Sequence, residues 1–105
     1  MITSRDFRDT RIASVAISYD WEASEYCADL HVVNYDGVRR SFRIFGLSEY
    51  AMYDDFLCSD IGQCTLLIGK NDVYLSLDPY LEGEKSDKDN MAFTGVRIEE
   101  ISVCR

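Results

Sequence analysis

Along Arg11–Tyr19 the apolar residues Val15, Ile17 and Tyr19 recur at every second position, the signature of a strand with one buried face. Asp20 ends the run, and Asp20-Trp21-Glu22-Ala23-Ser24 forms a polar connection that carries the only tryptophan. Strands are predicted again over Glu25–Asn34 and Val38–Phe45, separated by Tyr35-Asp36-Gly37, a strong hairpin signal. Ile61–Ile68 and Val73–Leu77 form a second hairpin around Gly69-Lys70-Asn71-Asp72, closed by Asp78-Pro79. Met91–Val103 is a last strand, with Phe93, Val96, Ile98, Ile101 and Val103 as core positions and a bulge expected at Gly95.

The register of the first hairpin follows from burial. A two-residue loop, Asp36-Gly37, sets His31 opposite Phe42 and Asp29 opposite Ile44. A three-residue loop with Gly37 in the left-handed region sets Leu30 opposite Phe42 and Ala28 opposite Ile44. It also places Asp29 across from Arg43 and Val33 across from Arg39 on the other face. A one-residue slip inverts every side chain, so the apolar pairs select the three-residue loop. The aliphatic stem of Arg40 then lies over Val32.

Two segments resist the period-two pattern. Gly46-Leu47-Ser48-Glu49 ends the third strand, and residues 47–57 read as helix, strand or loop, the balance favouring irregular structure or one helical turn. Tyr80–Asn90 is too polar to bury and is expected to be a mobile loop. About six strands with short connections and at most one short helix make a mainly β domain, an antiparallel sheet or a two-sheet packing. One proline and six scattered glycines leave no linker, so residues 1–105 read as a single domain.

Charge changes the picture more than composition does. The net charge is −8, distributed as −1 through Leu47 and −7 from Ser48 onward. That field repels phosphate backbones and anionic lipid and attracts a basic protein, so neither nucleic acid nor membrane is an expected partner. The longest uncharged apolar stretch, Cys64–Ile68, is strand-sized. The polar start Met1-Ile2-Thr3-Ser4-Arg5-Asp6 provides no signal-peptide core, and a cytoplasmic location is the expectation. Cys27, Cys58, Cys64 and Cys104 are therefore expected as four reduced thiols, a Cys58–Cys64 disulfide being the one alternative spacing.

Catalytic and metal chemistry finds little support. No close cysteine pair supplies a zinc site, and the glycines do not cluster into a phosphate-binding loop, so no cofactor is expected. Asp29, His31 and Ser41 share one predicted strand face, but adjacency on a sheet does not put a nucleophile within reach of its base. Carboxylate pairs such as Asp54/Asp55 and Glu82/Glu84 arise by chance in so acidic a segment. Asp87-Lys88-Asp89-Asn90 begins like a calcium loop but lacks its turn glycine and distal glutamate. The protein is expected not to be an enzyme.

What remains is an acidic surface set with aromatics. Tyr53, Asp54 and Asp55 form one group, and Tyr80, Glu82, Glu84, Asp87 and Asp89 another, and these are the candidate partner-binding residues. Three short motifs, Asp9-Thr10-Arg11-Ile12, Phe45-Gly46-Leu47-Ser48 and Leu77-Asp78-Pro79-Tyr80, resemble those of small bacterial immunity proteins, including those of contact-dependent growth inhibition systems. The resemblance implies a stoichiometric inhibitor that binds a toxin domain in the cytoplasm, and a basic, nuclease-type toxin would account for the sign of the charge. A generic interaction or scaffold domain is the competing expectation, and a small enzyme with a hidden carboxylate site the third. In the first case the acidic second half carries recognition, and Glu22 and Glu25 contribute little.

Overall fold

The computed structural model describes residues 1–53 and 60–101. Its strands are β1 (Thr10–Asp20), β2 (Glu25–Asn34), β3 (Arg39–Phe45), β4 (Glu49–Ala51), β5 (Asp60–Ile61), β6 (Thr65–Ile68), β7 (Val73–Asp78), β8 (Asn90–Gly95) and β9 (Arg97–Ile101). They form a five-stranded sheet, β5-β1-β2-β3-β9, and a four-stranded sheet, β4-β8-β7-β6, with every pairing antiparallel. A single 3-10 turn, Ser4–Asp6, is the only helical element among the described residues. The mainly β expectation is met, and of its two alternatives the two-sheet arrangement is the one found.

The β2–β3 hairpin adopts the register that burial selects. Leu30 pairs with Phe42, Ala28 with Ile44 and Asp29 with Arg43. Gly37 has φ +85°, and the Asn34 carboxamide oxygen accepts the Asp36 and Val38 amides, each at 2.9 Å. Leu30, Phe42 and Ile44 have no exposed surface, and with Val32, Val73, Leu75, Leu77 and Phe93 they fill the space between the sheets. Phe7, which no strand pattern marks, is also fully buried, its ring 4.6 Å from that of Phe42. Arg40 closes this end of the core, bound to Glu100 at 2.8 and 2.9 Å and to Asp6 at 2.9 Å.

Nine strands lie among the described residues rather than about six, two of the additional ones because the chain changes sheets where the pattern alone reads one continuous run. Ile61–Ile68 breaks at Gly62-Gln63-Cys64, which sends β5 to the larger sheet and β6 to the smaller. Met91–Val103 breaks just after Gly95, where a bulge is expected and the chain instead passes from one sheet to the other. A Cβ there would meet Ile44 Cγ2 at 2.5 Å and the Phe45 carbonyl at 2.9 Å, so only glycine passes this corner. Val96, read as core, is 46% exposed on the far side of that corner, and Val103 lies outside the described residues. Within residues 47–57, Glu49–Ala51 is a strand paired to β8 rather than irregular or helical, because β8 offers it an open edge. Residues 54–57 lie outside the described residues.

Candidate functional site

The tract 80–90 overturns the expectation of a free polar loop. It lies across the outer face of the smaller sheet, where Thr65, Tyr74 and Ser76 point away from the core. Gly83 donates to the Thr65 hydroxyl at 2.9 Å, and the Ser76 hydroxyl donates to the Asn90 carbonyl at 2.9 Å. Asp89 is 1% exposed, and its carboxylate accepts the Tyr74 hydroxyl at 2.5 Å and the Tyr80 and Ser86 amides at 2.8 and 2.9 Å. Burial and this bond raise the Tyr74 hydroxyl well above its ordinary value.

Asp89 is thus an internal anchor and not a residue presented to a partner. Glu82 is likewise committed. It accepts the Cys64 amide at 3.0 Å and pairs with Arg8 at 2.7 Å, and those bonds, the Cys64 amide first, hold its carboxyl below the usual range. Glu84 and Asp87 are exposed, and Tyr80 is 57% exposed with Lys88 above its ring. Tyr53 joins the tract by donating its hydroxyl to the Asp87 carbonyl at 2.6 Å. Asp54, Asp55, Cys58 and Cys104 lie outside the described residues, while Cys27 and Cys64 are buried free thiols. Burial pushes the Cys64 thiol up to about 12.

A different surface has the composition of an interface. Tyr19 and Tyr26 pair directly across β1 and β2, their rings edge to face at 4.9 Å, and Trp21 at the hairpin tip stands edge to face with Tyr19 at 4.7 Å. The far end of this hairpin projects past the packed core, so Trp21 is 83% and Tyr26 54% exposed. Ile17, Leu47 and Tyr50 extend the patch as a shallow groove between the hairpin and β4. Asp20, Glu22 and Glu25 neighbour these rings along the chain, and Glu49 lines the groove. The Asp20 carboxylate accepts the Glu22 and Ala23 amides at 3.0 and 3.2 Å, which sets the turn that holds Trp21 out.

The outer face of the larger sheet carries the Asp29, His31 and Ser41 group. His31 Nδ1 lies 2.6 Å from the Ser41 hydroxyl. Asp29, however, is clamped by Arg43 through both oxygens at 2.6 and 2.9 Å, so it does not orient the imidazole. Ser41 is itself 4% exposed. The three residues make a hydrogen bond and an ion pair, not a relay. Among the described residues, no cluster of histidine, cysteine, aspartate or glutamate is arranged to hold a metal, and no helix is long and apolar enough to cross a membrane.

Averaging charge over half the chain hid the hairpin surface. From Ile12 through Val38 there is no lysine or arginine, and the near-neutral sum of the first half comes from arginines on either side of that stretch. Comparison with known proteins finds no matching family model, no matching curated protein and no matching solved structure.

Proposed function

We propose that this is a non-catalytic binding domain that captures a basic protein surface on the aromatic end of the β1–β2 hairpin. The observation that carries the reading is Trp21, Tyr26 and Tyr50, each more than half exposed, with Asp20, Glu22 and Glu25 beside the first two in the chain and Glu49 lining the groove. Exposed tryptophan and tyrosine are the side chains most often found as binding hot spots, because they bury large area at small entropic cost. The carboxylates steer a cationic partner and the desolvated rings slow its departure. An immunity protein that neutralises a basic bacterial toxin domain is the reading that joins this surface to the net charge and to the motif resemblance. A scaffold domain with a basic partner uses the same surface.

The experiment is co-purification from the native host, followed by titration of the identified partner. As the only tryptophan, Trp21 reports directly, and its emission shifts to the blue when a partner covers it. Trp21→Ala is expected to weaken binding by about thirtyfold or more with the fold intact by circular dichroism. Reversing Glu22 and Glu25 to lysine slows association, most strongly at low salt. A basic toxin in equal amount supports the immunity reading. Full affinity in both variants overturns this choice of surface.

A further inference from the structure

Four arginines of this chain share one arrangement, in which each lies over an aromatic ring and pairs with a carboxylate. Arg97 is 4.0 Å from the centre of the Phe45 ring and 2.7 Å from Glu99. Arg40 lies over Phe42 at 5.0 Å and donates to Glu100 at 2.8 Å. Arg43 lies over Phe45 at 5.9 Å, clamped to Asp29, and Arg11 lies over Tyr35 at 5.4 Å, beside Asp60 at 3.3 Å. The ring quadrupole attracts the guanidinium, whose planar fork stays free to bind the carboxylate.

The end of the β1–β2 hairpin has two of these three parts. Tyr19, Trp21 and Tyr26 supply the rings, and Asp20, Glu22 and Glu25 are their neighbours in the chain. The third part is missing: no lysine or arginine occurs from Ile12 through Val38, and no cation of the described residues lies over these three rings. Trp21 is 83% exposed, so its indole keeps an open face beside the contact with Tyr19. Glu22 is exposed next to it and makes no ion pair among the described residues. Residues 54–59 and 102–105 join the described chain at Tyr53, Asp60 and Ile101. Asp60 pairs with Arg11 and Ile101 with Ser41, at the opposite end of the larger sheet from Trp21, and Tyr53 bonds to Asn90, at the end of β8 away from Gly95.

We infer that an arginine of the partner protein completes the arrangement, its guanidinium seated on the face of Trp21 and paired with Glu22. The inference rests on the hairpin end being the binding surface and adds what sits on it, a cation held by the indole rather than an apolar anchor. Tryptophan is the strongest of the aromatic side chains in this role. Arginine fits better than lysine because its guanidinium is planar and more weakly hydrated, so it stacks on a ring at lower cost.

Trp21 is the only tryptophan, so growth on fluorinated tryptophans replaces it alone. Fluorine withdraws the electron density that attracts a cation and leaves the ring apolar. Calorimetric titration of the full chain with a nona-arginine peptide at low salt is the test. Affinity is expected to fall with each added fluorine, by about fivefold to thirtyfold in all, with the fold intact by circular dichroism. Trp21→Ala is expected to lose at least as much, and a nona-citrulline peptide, similar in shape without the charge, is expected not to bind. Affinity that ignores fluorination overturns the inference. If Trp21→Ala still weakens binding in that case, the surface stands without the cation; if it does not, the surface fails as well. A nona-arginine peptide that does not bind at low salt also overturns the inference.

Discussion

The end of the β1–β2 hairpin and the tract 80–90 have exchanged the environments their hydropathy suggests. The hairpin end holds Ile17, Tyr19, Trp21 and Tyr26 and stands in solvent. The tract has the sequence YLEGEKSDKDN, yet it buries Asp89 and Asn90 and covers one face of a sheet. Polar residues fold inward when the face beneath them supplies donors, as Tyr74 does and as the tract's own amides do for Asp89. Apolar residues stay outside when the strands that carry them run longer than the core. The tract is satisfied within the molecule, and the hairpin end keeps its aromatic surface exposed.

The largest effect separates the root of the hairpin from its tip. Leu30 sits where the hairpin enters the core, and Leu30→Ala is expected to cost about 2–5 kcal/mol in urea unfolding. Trp21→Ala, at the exposed end of the same hairpin, is expected to stay within about 0.5 kcal/mol of wild type. Equal losses at the two sites would mean the tip is packed and the comparison is wrong.

Asp89→Ala comes next. It leaves the Tyr74 hydroxyl and two amides without their acceptor, at a cost of about 2 kcal/mol. Its signature is local: amide exchange should rise across residues 80–89 before it rises in β2 or β3. An unchanged exchange pattern would return the tract to the status of a free loop.

The smallest effect is on acid stability. Arg40 holds Glu100 below its ordinary 4.5, and Arg8 and the Cys64 amide do the same for Glu82. Burial resists ionisation of Asp6, but the Thr3 amide and Arg40 outweigh it and lower that carboxyl from 3.8. Carboxyls lowered in the folded state contribute stability that is present above their unfolded values and lost as pH falls through the folded ones. Stability from these three groups should therefore be intact above about pH 4.5 and decline below it. Arg40→Met should flatten that decline, as judged by urea midpoints across the acid range.

Residue pattern by itself determined the strands of the first hairpin, their register and the faces they bury. Leu30, Phe42, Ile44 and Gly37 are neighbours along a short length of chain, and the alternation of apolar side chains leaves one pairing that buries them. The predominance of strand over helix was legible for the same local reason. Only the tertiary structure decided that residues 61–68 and 91–101 divide between two sheets. The corner at Gly95 exists because Ile44 and Phe45 approach it, and that contact joins residues far apart in sequence. It also decided which acids are spent. Glu82 and Asp89 look like Glu84 and Asp87 in sequence, but Arg8, the Cys64 amide and Tyr74 reach only the first two. Trp21 is exposed for a reason of length: β1 and β2 outrun the sheet that packs against them, and how far a core extends is a property of the assembled sheets.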